Sequence, residues 1–367
     1  MNILIFEWRD IKNPAAGGSE IYFHELAKRW VKKGNRVTII CGGWKGCIKE
    51  ENIDGIDIIR TGNALTLYLL APLTYRKLKE KPDVIVDVEN GIPFFSPLFS
   101  KCKRVLHIHH VHKEVWAKQA SFPIALIGRF LETKLMPLFY KKSKIITISK
   151  SSAETIEKEN IGNKEQILGI VNPGIEFYKI KKMQKSKNPS ILFLNRIKRY
   201  KGVHILLQAI NEINKKKDSK LKNLEVNIAG TGDDLEEMKD FAEKNELKNV
   251  KFLGRVSEEK KQELMQKAWI FVNPSFVEGW GIVNIEANYF GTLVIGSNVN
   301  GIKDSVINGK TGLLFDYGNY NDLADKITDL VKNKKVLDKM SKYSKKYSKK
   351  FDWNKKSEEY LKLLKSF

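Results

Sequence analysis

The stretch Asn273-Pro-Ser-Phe-Val-Glu-Gly-Trp-Gly-Ile-Val-Asn-Ile-Glu286 decides how this chain folds. An apolar run, Ala268-Trp-Ile-Phe-Val272, precedes it and predicts a buried parallel strand, while Ile282 onward predicts a helix. The turn Gly279-Trp280-Gly281 therefore ends a strand and opens a helix. Uncapped N–H groups and the positive end of the helix dipole favour an anionic ligand at such a turn. Glu278 lies in the loop facing that ligand, and Glu286 lies in the second helical turn. On this spacing one carboxylate holds hydroxyls near a phosphate and the other holds a ribose further along. The plainer reading is a strand-turn-helix corner with two solvated glutamates.

The same unit recurs on both sides of this stretch. Apolar runs at Asn2–Phe6, Arg36–Cys41, Asp83–Val88, Arg104–His109 and Lys144–Ile148 alternate with helical patterns. The first helix carries Phe23, Leu26, Ala27, Trp30 and Val31 at helical spacing and stops at Gly34. A second series runs through Ser190–Leu194, Leu224–Ala229, Val250–Leu253, Trp269–Val272 and Leu293–Ile295. Apolar strands alternating with helices predict an α/β chain whose parallel sheets are covered on both faces. At 367 residues two domains are expected. The boundaries read as 1–173, a charged, Pro-bounded linker at 174–189, a second domain at 190–345, and a terminal helix at 346–367.

Cations follow the first strand of the second series, in Leu194-Asn-Arg-Ile-Lys-Arg-Tyr-Lys-Gly202. An arginine forks two phosphate oxygens and a lysine supplies a point charge, so Arg196 and Lys201 are candidates for holding phosphate. In the first series, Asn13-Pro-Ala-Ala-Gly-Gly-Ser-Glu20 leads into the first helix. Gly17 and Gly18 permit close backbone approach to a phosphate, and Ser19 is the expected cap. This is not the Gly-x-Gly-x-x-Gly dinucleotide pattern, which argues against a dehydrogenase. His107-Ile-His-His-Val-His112 suggests zinc at first sight. On an extended strand His107 and His109 point one way and His110 the other, with no cysteine or carboxylate cluster nearby, so no metal is expected. Glu89 and Asn90 end another strand, where they face a ligand or merely terminate it.

The composition bounds the partners. Lys and Arg total 65 against 43 Asp and Glu, a net charge of +22. Such a surplus suits an anionic partner or a surface adapted to heat. Cys41, Cys47 and Cys102 form no metal-ligand spacing, and an odd count argues against a disulfide framework. Met1–Phe6 is a short apolar run broken by Glu7, Arg9 and Asp10, unlike a secretory leader, so a cytoplasmic protein is expected. The longest uncharged stretch, Thr61–Tyr75, falls short of the roughly 20 residues a membrane span needs. Two apolar segments, Leu65–Leu73 and Ala120–Lys142, carry basic residues including Arg129, Lys134, Lys141 and Lys142, with Trp116 just upstream. They fit core helices, and they equally fit peripheral docking on an anionic membrane. No recognisable nucleic-acid module appears, and no nucleic-acid partner is expected.

The Glu278–Glu286 segment resembles the Glu-x7-Glu signature of the retaining family 4 glycosyltransferases. Val250-Lys-Phe-Leu-Gly-Arg-Val256, Gly301-Ile-Lys-Asp-Ser-Val-Ile-Asn-Gly-Lys-Thr-Gly-Leu-Leu314 and Phe351-Asp-Trp353 are similar to other blocks of that family and follow its order. The resemblance implies the GT-B fold: two doubly wound Rossmann-like domains facing each other across a cleft, with the last helix crossing back to the first domain. It implies transfer of a hexose-type sugar from a nucleotide diphosphate sugar to an acceptor hydroxyl, with no cofactor or metal. Arg196 and Lys201 match the family's Arg-x4-Lys-Gly pattern. The implied donor contacts are Gly17, Gly18, Arg196, Lys201, Arg255, Val256, Glu278, Gly279, Trp280, Gly281, Ile282, Val283 and Glu286. His109 or His110 is implied near the transferred sugar. The implied catalytic set is thus Glu278, His109, His110, Arg196 and Lys201. Acceptors in this class are sugars, glycolipids or small metabolites, with an anionic membrane surface as a further expected partner and the inner membrane face as a second location. The same fold also hosts sugar-nucleotide epimerases and phosphorylases. The first needs a carboxylate-rich hydrolytic centre and the second a pyridoxal-binding lysine. Nucleic-acid binding by the basic surface is the alternative from another class.

Overall fold

Fourteen strands assemble into two sheets among the described residues of the computed structural model, which are 1–113, 116, 122–177 and 183–367. The chain divides into two α/β units, residues 1–174 with 352–367, and residues 175–351.

The sheet of the first unit contains β1 (Asn2–Phe6), β2 (Arg36–Cys41), β3 (Glu50–Ile53), β4 (Ile56–Arg60), β5 (Val84–Glu89), β6 (Lys103–Ile108), β7 (Lys144–Thr147) and β8 (Ile167–Ile170), in the order β3-β4-β2-β1-β5-β6-β7-β8. All neighbours are parallel except β3 and β4. That hairpin turns through Asp54 and Gly55, both at positive φ, the geometry that suits the twist of antiparallel strands. β1 and β5 are buried almost throughout, which is why they read as unbroken apolar runs.

The helix Gly18–Lys32 lays Tyr22, Phe23, Leu26 and Trp30 into the core. It packs on the helix Trp353–Lys365, where Trp30 donates its indole N–H to Ser357 O at 3.0 Å and its ring lies 5.4 Å from Tyr360. The terminal helix thus belongs to the first unit. Sequence reading began it at residue 346. The structure ends the helix Lys334–Ser348 inside the second unit, and Asp352 starts a new helix by accepting from the N–H groups of Asn354 and Lys355.

The second unit holds β9 (Ser190–Leu194), β10 (Glu225–Ala229), β11 (Val250–Gly254), β12 (Ile270–Asn273), β13 (Leu293–Ser297) and β14 (Gly312–Phe315). Their order is β11-β10-β9-β12-β13-β14, all parallel. The helix Val203–Lys215 covers this sheet with Leu206, Ala209, Ile210 and Ile213 buried. Each such Leu or Ile contributes roughly 1.5–3 kcal/mol by leaving water. The expected linker at 174–189 is partly outside the described residues, at 178–182. From Met183 onward it is bonded to the second unit: Met183 N–H donates to Gln266 Oε1 at 3.2 Å, and Lys185 Nζ to Ala268 O at 2.6 Å.

In each sheet the strand order reverses once, between β1 and β5 and between β9 and β12. Loops leaving the C-terminal ends of such strand pairs diverge and open a crevice for ligand.

The two apolar segments differ from core helices. On the helix Leu67–Arg76, Leu69 and Leu73 are exposed, with Leu65 exposed just before it. On the helix Phe122–Phe130, so are Phe122, Ile124, Leu126, Ile127 and Phe130, with Phe122 at 83%. Ala120 and Ser121 lie outside the described residues. No helix among the described residues is long and apolar enough to cross a membrane.

Candidate active site

In the second unit, the loops after β9 and β12 meet at the reversal point. Gly202, at φ +75°, ends the cationic loop and starts the helix Val203–Lys215. A Cβ there would lie 2.0 Å from Pro274 O, so only glycine lets the two loops touch. This contact brings Lys201 Nζ within 2.6 Å of Glu278 Oε1. Ser275 Oγ steadies the same oxygen at 3.0 Å. Lys201 is 7% exposed. Arg196 is exposed, with its guanidinium 3.5 Å from the Tyr200 hydroxyl.

Beyond Glu278, Gly281 at φ +81° opens the helix Ile282–Tyr289 with no side-chain cap, which leaves the first-turn N–H groups of Ile282 and Val283 for a ligand. Trp280 turns its ring into the fold. Its indole is 5% exposed and packs 5.6 Å from Phe351, so the turn offers backbone, not a ring, to an anion. Glu286 is paired with Lys261 at 2.8 Å. Burial alone would depress Lys261, but Glu286, with Glu258, outweighs it and raises its pKa. Arg255 and Val256 follow β11 at the same edge of the sheet, with Arg255 exposed.

Several supports of this site were not read from the sequence. Gly301 presses on the Glu278 carbonyl, where a Cβ would stand 2.0 Å away. A Cβ on Gly230 would stand 1.9 Å from Asn195 O, and one on Gly232 2.1 Å from Ile197 O. A buried amide chain runs from Asn273 Nδ2 to Asn284 Oδ1 (2.9 Å) and from Asn284 Nδ2 to Ser305 Oγ (2.9 Å), tying strand end to helix start. The only sequence signal for it was two amides inside apolar runs.

In the first unit, the loops after β1 and β5 meet in the same way, with different chemistry. Gly17 caps the helix Gly18–Lys32 without a side chain, and its N–H donates to Glu20 Oε2 at 2.7 Å. Ser19 is therefore not the cap. Lying in the first helical turn, it places Oγ 2.8 Å from His109 Nε2 and 3.1 Å from Glu7 Oε2. Asn90 Nδ2 donates to Glu7 Oε1 at 2.5 Å. Glu7, read from sequence only as a break in an apolar run, is 1% exposed, and burial followed by the charge of Glu20 raises its carboxyl well above the usual range.

The histidine run divides as the strand geometry predicts. The His107 and His109 rings lie 4.5 Å apart, whereas the His110 ring stacks 4.1 Å from His112. His107 is buried under the Tyr360 hydroxyl, at 3.0 Å. His109 is 7% exposed; burial, then the charge of His112, lowers its pKa to about 3. It acts as a neutral hydrogen-bonding group. The expectation that no carboxylates flank the run is overturned, because Glu89 and Glu132 converge on His112 at 3.5 and 3.7 Å. Burial opposes charge on His112, yet these neighbours lift its pKa to about 10.

Residues 174–347 match the model of the group 1 glycosyl transferases, and residues 16–176 that of glycosyltransferase family 4. The chain belongs to the family 4-type glycosyltransferases. A curated relative, an uncharacterized glycosyltransferase of Methanocaldococcus jannaschii, is 34% identical over 45% of this chain and 44% of its own. The capsular polysaccharide biosynthesis glycosyltransferase CapM of Staphylococcus aureus is 30% identical over 52% and 53%. For these two the match spans about half of the relative's length. An uncharacterized glycosyltransferase of Haemophilus influenzae aligns over 95% of this chain and 97% of its own at 25% identity. Among solved structures, sucrose-phosphate synthase from Thermosynechococcus elongatus superposes with a TM-score of 0.78 at 17% identity, covering 99% of this chain and 98% of the other. The Anabaena protein HepE in complex with UDP-glucose superposes with a TM-score of 0.77 at 17% identity, over the whole of both chains. These likenesses show the GT-B fold.

The buried histidine of this glycosyltransferase chain gives a pH test. A histidine whose folded-state pKa is depressed stabilises the fold while neutral. That stability is complete above its unfolded value of 6.5 and is lost as pH falls from there toward about 3. The slope is roughly 1.4 kcal/mol per pH unit for each proton taken up. Urea unfolding of the His109→Gln variant between about pH 7 and pH 5 is expected to show a shallower loss of stability than the parent, by about one proton. An unchanged slope would mean that His109 is not held neutral.

Proposed function

We propose that the protein is a retaining transferase that moves a hexose from a nucleotide diphosphate sugar to an acceptor hydroxyl, with no metal at the donor. The observation that carries this reading is the Lys201–Glu278 pair beside the uncapped start of the helix Ile282–Tyr289, at the reversal point of the second sheet. A departing diphosphate needs fixed positive charge where its own charge develops. Lys201, the exposed Arg196 and the N–H groups of Ile282 and Val283 supply it. Glu278 shares Lys201 and offers its remaining lone pairs to donor hydroxyls. Glu286 takes the ribose, oriented by Lys261. UDP-glucose bound to the Anabaena protein supports a nucleoside diphosphate hexose as donor.

In the transfer itself, the bond from the anomeric carbon to the diphosphate oxygen breaks. A bond to the acceptor oxygen forms on the same face, and the acceptor proton passes to the departing diphosphate. Neutral His109, Ser19 and Glu7 suit binding of hydroxyls more than binding of phosphate. The Gly17–Gly18 turn presents its backbone to an anionic group at the start of the first helix.

The acceptor reading is a lipid-linked saccharide, and the role is in glycolipid or cell-surface polysaccharide synthesis. An apolar groove of about 450 Å³ in the first unit supports it, lined by residues including Tyr68, Leu69, Pro72, Phe94, Phe95 and Leu131. The neighbouring helices expose Leu65, Leu69, Phe122 and Ile127, with Arg129, Lys134, Lys141 and Lys142 also exposed on the second segment. Apolar side chains beside lysines and arginines suit the interface of an anionic bilayer, where each basic residue contributes about 1 kcal/mol. The role of the Staphylococcus aureus relative in capsular polysaccharide biosynthesis supports the same direction.

Two experiments test this reading. Calorimetric titration in the presence of EDTA should show nucleoside diphosphate binding that Arg196→Ala weakens by roughly 1.5–3 kcal/mol, with nucleoside binding almost unaffected. Equal losses for both, or no binding in EDTA, would contradict metal-free diphosphate recognition. Co-sedimentation should show the protein on anionic vesicles, less on neutral ones, and progressively less as salt rises. Absence from both kinds of vesicle would leave a soluble acceptor.

A further inference from the structure

We propose that Glu89, His112 and Glu132 form a binding site in the first unit for a divalent transition-metal ion such as Zn²⁺ or Mn²⁺. The three come from separate elements: Glu89 ends β5, His112 follows β6, and Glu132 lies in the π-helical turn Leu131–Leu135 that continues the helix Phe122–Phe130. A π turn inserts one residue into the helical register and so re-aims a side chain, and such turns recur at functional sites. Here it points a carboxylate inward, and Glu132 is buried. Glu89 and Glu132 are both 0% exposed.

Each carboxylate is fixed by one oxygen and leaves the other open. Glu89 Oε1 accepts from the Gly91 N–H, and Glu132 Oε1 accepts from the His112 N–H. Glu89 Oε2, Glu132 Oε2 and His112 Nδ1 are buried with no hydrogen-bond partner among the described residues. Three buried polar atoms without partners would each cost about 1–3 kcal/mol, more where the group is charged. Potential ligand atoms of the three residues lie within 4.8 Å of one another. At metal–ligand distances of about 2.0–2.2 Å two ligands stand at most about 4.4 Å apart, so small side-chain rotations close the site.

Charge points the same way. A divalent cation beside a neutral imidazole balances two ionised carboxylates in full. The mixed oxygen and nitrogen donor set suits zinc or manganese better than calcium or magnesium, which prefer oxygen alone. Three protein ligands leave a further position for water or a substrate oxygen. The His112 side chain, 16% exposed, leaves a route for exchange. An ion here would tie the end of β5 and the segment after β6 to the π turn. The site shares no residue with the proposed donor site, so its test is independent of that reading.

The full chain is stripped with a chelator, dialysed, and titrated with ZnCl₂ or MnCl₂ by calorimetry, with bound metal measured by plasma mass spectrometry. One cation per chain is expected. Glu132→Gln and His112→Gln should each weaken binding by more than the roughly 10- to 100-fold that loss of a mere outer-shell partner brings. Circular dichroism of each variant separates loss of the site from loss of the fold. Should either variant unfold, Co²⁺ is added to the parent and to the charge-conserving Glu89→Asp. The d–d absorption of the bound ion should shift between them. If the parent takes up no stoichiometric cation, if folded variants bind like the parent, or if the cobalt spectra are identical, the proposal fails. His112 is then an imidazolium between two carboxylates.

Discussion

Lys201 and Glu278, 2.6 Å apart, are the contact on which the arrangement of the second unit's site depends. A largely buried ion pair of this kind adds little to stability, because the loss of hydration offsets most of the attraction. Its value lies in position: it holds a cation and a carboxylate side by side at the mouth of an uncapped helix. The pair forms only because glycines let three backbones come within van der Waals contact. Gly202 lies against Pro274, Gly301 against Glu278, and Gly230 against Asn195. Any Cβ at these places would separate the loops and pull the charges apart.

The two units repeat one topology and use it for different chemistry. Both gather their polar side chains where the strand order reverses, because only there do neighbouring loops diverge and leave backbone groups free. The second unit fills that place with Arg196, Lys201 and helix N–H groups, which suit phosphate. The first fills it with Glu7, Ser19, Asn90 and a neutral His109, which suit hydroxyls. Burial is what separates them. It holds His109 uncharged and raises the Glu7 carboxyl well above its usual range, while Arg196 remains in water.

Much of this was legible in the residues. β1, β2 and β9 match their apolar runs end to end, since a strand covered on both faces has no alternation to blur its limits. The hairpin β3–β4 was not read, because Glu50, Glu51 and Asn52 give an edge strand a polar appearance. Arg196, Lys201 and Glu278 could be picked out as candidates because they lie in the loops that leave β9 and β12. Glu7 was missed although it also follows a strand, since sequence does not show that its carboxylate turns inward. Glu89, His112 and Glu132 are separated by about twenty residues at each step, and the helical register that joins the last to the others is altered by a π turn. The exposure of Phe122 and Leu69 was equally hidden, as an apolar helix reads the same whether it faces a core or the solvent.

The most direct test of the central claim is a double-mutant cycle on nucleoside diphosphate affinity, using Lys201→Met, Glu278→Gln and both together. If the two residues act as one unit at the diphosphate, Lys201→Met alone leaves a bare carboxylate facing the anion. It should then bind more weakly than the double variant, in which that repulsion is gone. The coupling should reach about 1 kcal/mol or more. Additive losses, with the double variant weaker than either single one by the sum of their effects, would contradict the account and separate Glu278 from the donor's phosphates.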